Sequence, residues 1–401
     1  MAIPMATPVT TDETDGAAEP ALAVRALAEA ITEHAAESER LGRIAPPVQD
    51  ALLKAGLFRM LLPRAHGGME TPPPAFARAI EAAAQIDAST AWCLCQGNGC
   101  AMAAAYVAPE VAKAMFGDDP RAVLAWGPGK AEAHVVDGGY RVTARIAFAS
   151  GGRHATWLGC HVPVFEADGT QRMTPSGPPE IRTMLFPASE VRWIDTWDVI
   201  GLRATGSDDF EIDGLFVPDA YTAIRDADRG RRHVTSLYTM PSMSLYAMGF
   251  SMTAQGIARA MLEAFTDLAT EKTPRMAKSK MMDNPVIQND LALCEARLKA
   301  ARAYLFDEIE DIWAEVVDTD TLSIANRMRI RLAATHGIHE AKAVAETVYD
   351  LAGVSAIRAE SPFQRRYRDI RSVTQQLQGR RSHYQTVGAY MFGHPADLRV
   401  A

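Results

Sequence analysis

The chain has 401 residues, 48% apolar and 22% charged, and its 41 Lys and Arg against 49 Asp and Glu leave a formal net charge of −8. At roughly 150 residues per domain that length predicts two or three structural units, and the acidic balance offers no overall field to nucleic acid or an anionic membrane. The five cysteines (Cys93, Cys95, Cys100, Cys160, Cys294) form no C-x-x-C pair, which argues against a disulfide framework or a thiolate zinc site and fits a reducing cytoplasm.

Residues 1–20 are rich in Thr, Asp and Pro, with neither the basic start nor the apolar core of a signal peptide, and are expected to be a disordered tail. No apolar run reaches the length of about 18 residues that spans a bilayer. Residues 21–120 form the first expected domain, Ala-rich and helical. ALAVRALAEAITEHAAESERL places Leu22, Val24, Ala28 and Ile31 near the helical period. Pro46 and Pro47 open a second helix that Gly56 stops, and Asp87 is placed to cap a long apolar helix reaching Tyr106.

The second expected domain, residues 121–228, has the texture of strands. HVV-DGG-YRV reads as a hairpin turning on Asp137, Gly138 and Gly139. RIAFAS, TWLGCHVPVF, RTMLFP, VRWIDTW and EIDGLFVP follow as closely spaced strands, which suggests a small barrel or sandwich. In residues 229–401 the helical period returns, with long helices at about 240–270, 285–315, 321–352 and 363–392 that suggest an antiparallel bundle. The fold class expected is α+β, mostly α: a helical domain, a β-barrel-like middle domain and a four-helix bundle.

Several chemical motifs are absent. Gly97-Asn98-Gly99 lacks the third glycine of a dinucleotide-binding turn. Gly127-Pro128-Gly129-Lys130 lacks both the first glycine and the Ser/Thr of a P-loop, and no G-x-S-x-G elbow exists. His336 and His339 share a helix face without a third metal ligand at a known spacing. Met240, Met243, Met248 and Met252 form a helical stripe expected to fill the core.

Four stretches in order resemble the acyl-CoA dehydrogenase superfamily. LGRIAPPVQDALLKAGLFRMLLPRAHGG is similar to its helix, glycine stop, Pro and Gly-pair pattern. DGGYRVTARIAFASGGRHATW is similar to its hairpin, strand, Ser-Gly and Trp signature. DTWDVIGLRATGSDDFEIDGLFVP matches a second signature with a Thr-Gly-Ser run, and FQRRYRDIRSVTQQ matches its arginine-aspartate helix. The likeness is nearest to the branch of flavin-dependent monooxygenases, the oxygenase halves of two-component systems, which includes 4-hydroxyphenylacetate hydroxylase oxygenases and dibenzothiophene monooxygenases.

This resemblance implies a cytoplasmic homotetramer with flavin near a subunit interface. Position by position, it implies that Ala149, Ser150 and Gly151 run past the N5 edge of the flavin and that Trp126 and Gly127 form a loop over the same face. It implies Trp92 near the isoalloxazine, Arg275 reaching a neighbouring subunit's flavin phosphate, and Val354 and Ser355 receiving phosphate or ribose. It further implies reduced flavin (FMNH2 or FADH2, not distinguished) supplied by a separate NAD(P)H:flavin reductase, with O2 and a small organic substrate.

An acyl-CoA dehydrogenase needs a carboxylate to take a weakly acidic α-proton. The family places it either after the arginine-aspartate motif or at the start of the first bundle helix. Here no Asp or Glu occurs from Ile370 to Ala396 or from Arg229 to Leu262. Ordinary dehydrogenation is therefore disfavoured. An oxygenase forming a C4a-(hydro)peroxyflavin needs instead a water-excluding site and a neutral hydroxyl near N5, a role suited to Ser150. Cys100 and Gln376 stand where hydroxylase relatives carry His, which disfavours phenol hydroxylation and leaves oxygenation at nitrogen, sulfur or carbonyl carbon open. His383 is the nearest remaining imidazole, with a solvent-facing position in the basic GRRSH run as its alternative. A dehydrogenase with an unusual base and a non-catalytic flavin-binding homologue are the other readings.

Overall fold

Proline starts helices where its missing N–H costs nothing, and α1 (Pro20–Ala26), α4 (Pro46–Lys54), α5 (Pro73–Ile86) and α7 (Pro109–Phe116) all open this way. The computed structural model describes residues 19–117, 119–175, 177–225 and 230–396; the expected tail lies outside these except for Glu19 and Pro20. The stretch expected as one helix before Gly42 is three: α1, α2 (Ala28–Glu33) and α3 (Ala35–Leu41). They break at Leu27 and His34, both at φ −96. His34 Nδ1 lies 3.0 Å from the Ala30 carbonyl, so a side chain competes for a ladder acceptor at the second break.

Asp87 caps α6 (Ala88–Ala101) by accepting the Thr90 amide at 2.8 Å. This helix is buried on nearly every face because α5, the β region and the first bundle helix all pack around it.

Strands run from Leu124 to Ala223: β1 (Leu124–Trp126), β2 (Gly129–Val136), β3 (Gly139–Ile146), β4 (Trp157–Phe165), β5 (Ile181–Pro187), β6 (Arg192–Ile194), β7 (Asp209–Pro218) and β8 (Thr222–Ala223). Their order in the sheet is β6-β7-β3-β2-β4-β5-β8, with β1 parallel on β4. The β2–β3 hairpin turns at Asp137-Gly138, as its sequence predicts. Alternation along β3 turns Tyr140, Val142, Ala144 and Ile146 inward, onto a core with Cys160, Val162, Met184, Phe186 and Phe210.

The bundle comprises α8 (Ser242–Glu271), α9 (Pro285–Thr319), α10 (Ile324–Ala352) and α11 (Pro362–Val373), followed by α12 (Ser382–Met391). Met240, Met248 and Met252 are fully buried in its core and Met243 is half-buried at its edge. The helix expected at 363–392 is split. Gln376 is extended, and its side-chain oxygen takes the Gln378 amide at 2.8 Å, which starts a 3-10 turn between α11 and α12. The buried Arg331 guanidinium donates to Gln378 and holds that turn against α10. No helix among the described residues is long and apolar enough to cross a membrane.

A largely buried carboxylate ties α5 to α9. Arg302 forks onto Glu81 through Nε at 2.6 Å and Nη2 at 2.7 Å, and the Glu81 side chain is 8% exposed against 42% for Arg302. Removing the arginine strands a buried carboxylate, whereas removing the carboxylate lets the arginine turn to water. Arg302→Met is therefore expected to cost about 2 kcal/mol, and more than Glu81→Gln. Melting temperatures of both variants check this; equal losses for the two would contradict it.

Candidate active site

The arginine-aspartate helix α11 fixes the first wall. Arg368 donates to the Ile200 carbonyl at 2.6 Å through Nη1 and to Glu39 at 3.0 Å through Nη2. One residue on, the buried Asp369 carboxylate accepts the Leu202 amide at 2.6 Å. A Cβ on Gly201 would lie 2.2 Å from the Arg368 carbonyl oxygen, so only glycine allows this approach. Leu202 is thereby held at φ 53, a region that side-chain-bearing residues rarely adopt.

From this anchor the chain returns through Thr205 to Asp208 and supports the turn after β3. Thr205 O accepts the Gly151 amide at 2.7 Å, and Asp208 O accepts the Ala149 amide at 3.2 Å. Phe148 sits at φ 54 and is 60% exposed, and Gly151 at φ 75 completes the turn. Beneath it runs a line of hydroxyls. Trp92 Nε1 donates to Ser150 Oγ at 3.0 Å; Ser150 Oγ lies 2.7 Å from Ser207 Oγ; Ser207 Oγ lies 2.6 Å from Thr205 Oγ1; and Thr205 Oγ1 donates to the Leu202 carbonyl at 2.9 Å. Trp92, Ser150, Ser207 and Thr205 are all buried.

The second wall is Trp126. Its carbonyl accepts from Gln96 Nε2 at 3.3 Å, and its ring carries the Arg225 guanidinium at 4.3 Å and the His161 imidazole edge-on at 5.0 Å. Burial, reinforced by Arg225, lowers the His161 pKa to about 3, so this imidazole is neutral. A Cβ on Gly127 would lie 1.9 Å from the Ala147 carbonyl oxygen; glycine is what lets this loop meet the Phe148 turn.

The third wall is aromatic and comes from α6 and α8. Phe250 stacks on Trp92 at 4.0 Å, and Tyr246 stacks on Phe250 at 5.7 Å. Tyr246 Oη lies 3.5 Å from Cys100 Sγ and donates to the Gln96 carbonyl at 3.4 Å. Burial pushes the Cys100 thiol up to about 12 and the Tyr246 phenol well above its usual value. The thiol of Cys100, the phenol of Tyr246, the imidazole of His161 and the hydroxyls of Ser150, Ser207 and Thr205 are thus neutral, with the Arg225 guanidinium behind Trp126 and the Arg368, Glu39 and Asp369 side chains anchoring the first wall.

Comparison with known proteins gives this geometry a family. Residues 19–116 match the N-terminal domain of acyl-CoA dehydrogenases and residues 248–378 the C-terminal domain. Indole-3-acetate monooxygenase of Pseudomonas putida is 31% identical over 360 residues, covering 89% of each chain. The chain belongs to the acyl-CoA dehydrogenase superfamily, in its branch of flavin-dependent monooxygenases. The oxygenase component of the FADH2-dependent resorcinol hydroxylase from a Rhizobium species is 26% identical, covering 87% of this chain and 88% of that one. The crystal structure of 3-HSA hydroxylase from Rhodococcus sp. RHA1 superposes with a TM-score of 0.88 at 25% identity, covering 96% of this chain and 99% of that one.

Within this monooxygenase, the preceding contacts bring Trp92, Cys100, Trp126, Gly127, Ala149, Ser150 and Gly151 together. Gln376 is half-buried in the turn after α11, and its Nε2 is buried without a hydrogen-bond partner. His383 does not face solvent: it is buried, with Nε2 2.7 Å from the Leu377 carbonyl, so it clamps the Gln376 turn. Arg275, Val354 and Ser355 lie elsewhere. Lys272 Nζ donates to Ser355 Oγ at 2.7 Å, which joins the exposed Arg275 connection to the Val354 turn. That cluster is at the far end of α8 from Phe250, about 33 Å along the helix at 1.5 Å per residue.

Several residues of the site are absent from the sequence-based set: Phe148, Thr205, Ser207, Tyr246, Phe250 and Asp369. The Thr-Gly-Ser run and the arginine-aspartate motif mark three of them as family signatures, but neither shows that the two segments meet. Burial raises the Asp369 pKa to about 7, opposed by the Leu202 amide and reinforced by Asp87 and Glu39. The folded protein therefore holds more protons than the unfolded chain between about pH 4 and pH 7, and this group's contribution to stability is lost as pH rises through that window. Asp369→Asn keeps an oxygen for the Leu202 amide and carries no charge. The melting temperature of the wild type is expected to fall relative to Asp369→Asn from pH 5 to pH 7.5; parallel curves would contradict the raised pKa.

Proposed function

We propose that the chain is the cytoplasmic oxygenase component of a two-component monooxygenase, taking reduced flavin from a separate NAD(P)H:flavin reductase and oxygenating a small aromatic or heteroatom-containing substrate. The observation that carries this is the Ser150 hydroxyl, set among neutral, buried groups, while the two stretches able to supply a dehydrogenase base contain no carboxylate. When bound, reduced flavin supplies two electrons to O2, so that one oxygen atom enters the substrate and the other leaves as water.

The residues present fit a flavin ring. Gly127 clears a close approach to Ala147, the exposed Phe148 ring offers a stacking surface, and Ser150 keeps an open lone pair. Ala149, Ser150 and Gly151 would hold the ring edge carrying N5, with Trp126 and Gly127 over the same face. Trp92, Phe250 and Tyr246 supply an apolar wall for an aromatic substrate and keep water away. The unpartnered Gln376 Nε2 offers a donor to the substrate, and Cys100 contributes bulk as a neutral thiol. The distance between this site and the Arg275, Val354 and Ser355 cluster supports an assembly, a homotetramer, in which one subunit's cluster receives the phosphate or ribose of flavin held by another.

Turnover with 18O2 tests the reaction class: one labelled atom is expected in the product, with no product under anaerobic conditions. Product formation without O2 consumption would overturn it. Ser150→Ala is expected to raise the share of consumed O2 released as H2O2 severalfold, measured by peroxide assay against product; unchanged coupling would remove Ser150 from the mechanism.

A further inference from the structure

Each hydroxyl in the line from Trp92 to Leu202 has one proton, and the two ends of the line fix where those protons point. Trp92 Nε1 can only donate, and the Leu202 carbonyl can only accept. With Thr205 donating to Leu202, its oxygen must accept from Ser207; Ser207, its proton so committed, must accept from Ser150. Ser150 then receives from Trp92, donates to Ser207 and keeps one lone pair free, but no proton. Reversing the line turns the Ser150 proton outward at the loss of the Thr205-to-Leu202 bond, leaving two oxygens 2.9 Å apart with no hydrogen between them.

We propose that Thr205 and Ser207 are positioning residues that hold the Ser150 hydroxyl as an acceptor, and that this orientation gives the site its preference for reduced over oxidised flavin. The inference rests on the flavin reading above, with N5 at Ser150. In reduced flavin N5 carries a hydrogen and can donate to the free lone pair. In oxidised flavin N5 has only a lone pair, and it gains a hydrogen bond only if the whole line reverses. Reduced flavin is favoured by one neutral hydrogen bond, a factor of roughly three to ten in affinity.

Thr205→Val removes the acceptor of the Ser207 proton at nearly constant volume. Ser207 then turns to Ser150, and Ser150 turns its proton outward. Ser207→Ala also frees the Ser150 proton, by removing its acceptor, and it serves if the valine variant does not fold. Dissociation constants for oxidised flavin in air and dithionite-reduced flavin under anaerobic conditions, measured on folded protein, provide the readout.

The ratio of oxidised to reduced constants is expected to fall by roughly three- to tenfold in each variant. Affinity for oxidised 5-deazaflavin, which has C–H in place of N5, is expected not to rise in either variant. In a Ser150→Ala background, Thr205→Val should leave the ratio unchanged, because the coupling passes through Ser150. A ratio unaltered in both single variants, or altered equally without Ser150, would overturn the orientation while leaving the flavin site standing. Failure of wild-type protein to bind either flavin would overturn the flavin reading and this inference with it.

Discussion

The bond from the Leu202 amide to the buried Asp369 carboxylate joins the bundle to the β region, and the proposed flavin site is built outward from it. Leu202 is held in a left-handed conformation it would not adopt unaided. Its carbonyl, turned by that conformation, ends the line of hydroxyls that reaches Ser150. A buried carboxylate taking a backbone N–H is an expensive way to fix a loop. It is also a stiff one, because no water can substitute for either partner. Arg368 gripping the Ile200 carbonyl from the other side leaves the turn little freedom.

Much of the architecture was legible in the sequence because it depends on local rules. Proline starts, the Asp87 cap and the Asp137-Gly138 turn each act over a few residues, and the carboxylate-free stretches required only reading. The breaks in the chain were harder. Nothing in ALAVRALAEAITEHAAESERL shows that Leu27 and His34 interrupt it, since the helical period continues across both. The split between α11 and α12 depends on a Gln376 side chain capping its own backbone and on Arg331 from another helix.

The site was legible in part for the same reason. Ser150 and Trp92 were identified separately through family likeness, yet their direct bond joins residues 58 positions apart. Tyr246 and Phe250 carry no motif. They read as two more apolar positions on a long helix until the packing of α8 against α6 stacks them on Trp92. For His383 the sequence left a catalytic imidazole and a solvent-facing place in a basic run both open; burial under the Leu377 carbonyl is a tertiary fact that composition does not contain.

The neutrality of the Cys100, Tyr246 and His161 side chains has a kinetic meaning. Cys100 and Tyr246 are pushed to high pKa, and His161 is pushed low, each by burial. Across the range in which the protein is folded and active, none of these three groups changes charge. A pH profile of turnover would then carry no step from these three groups. They act as a solvent of fixed composition, and what reacts beside them brings its own acid–base chemistry.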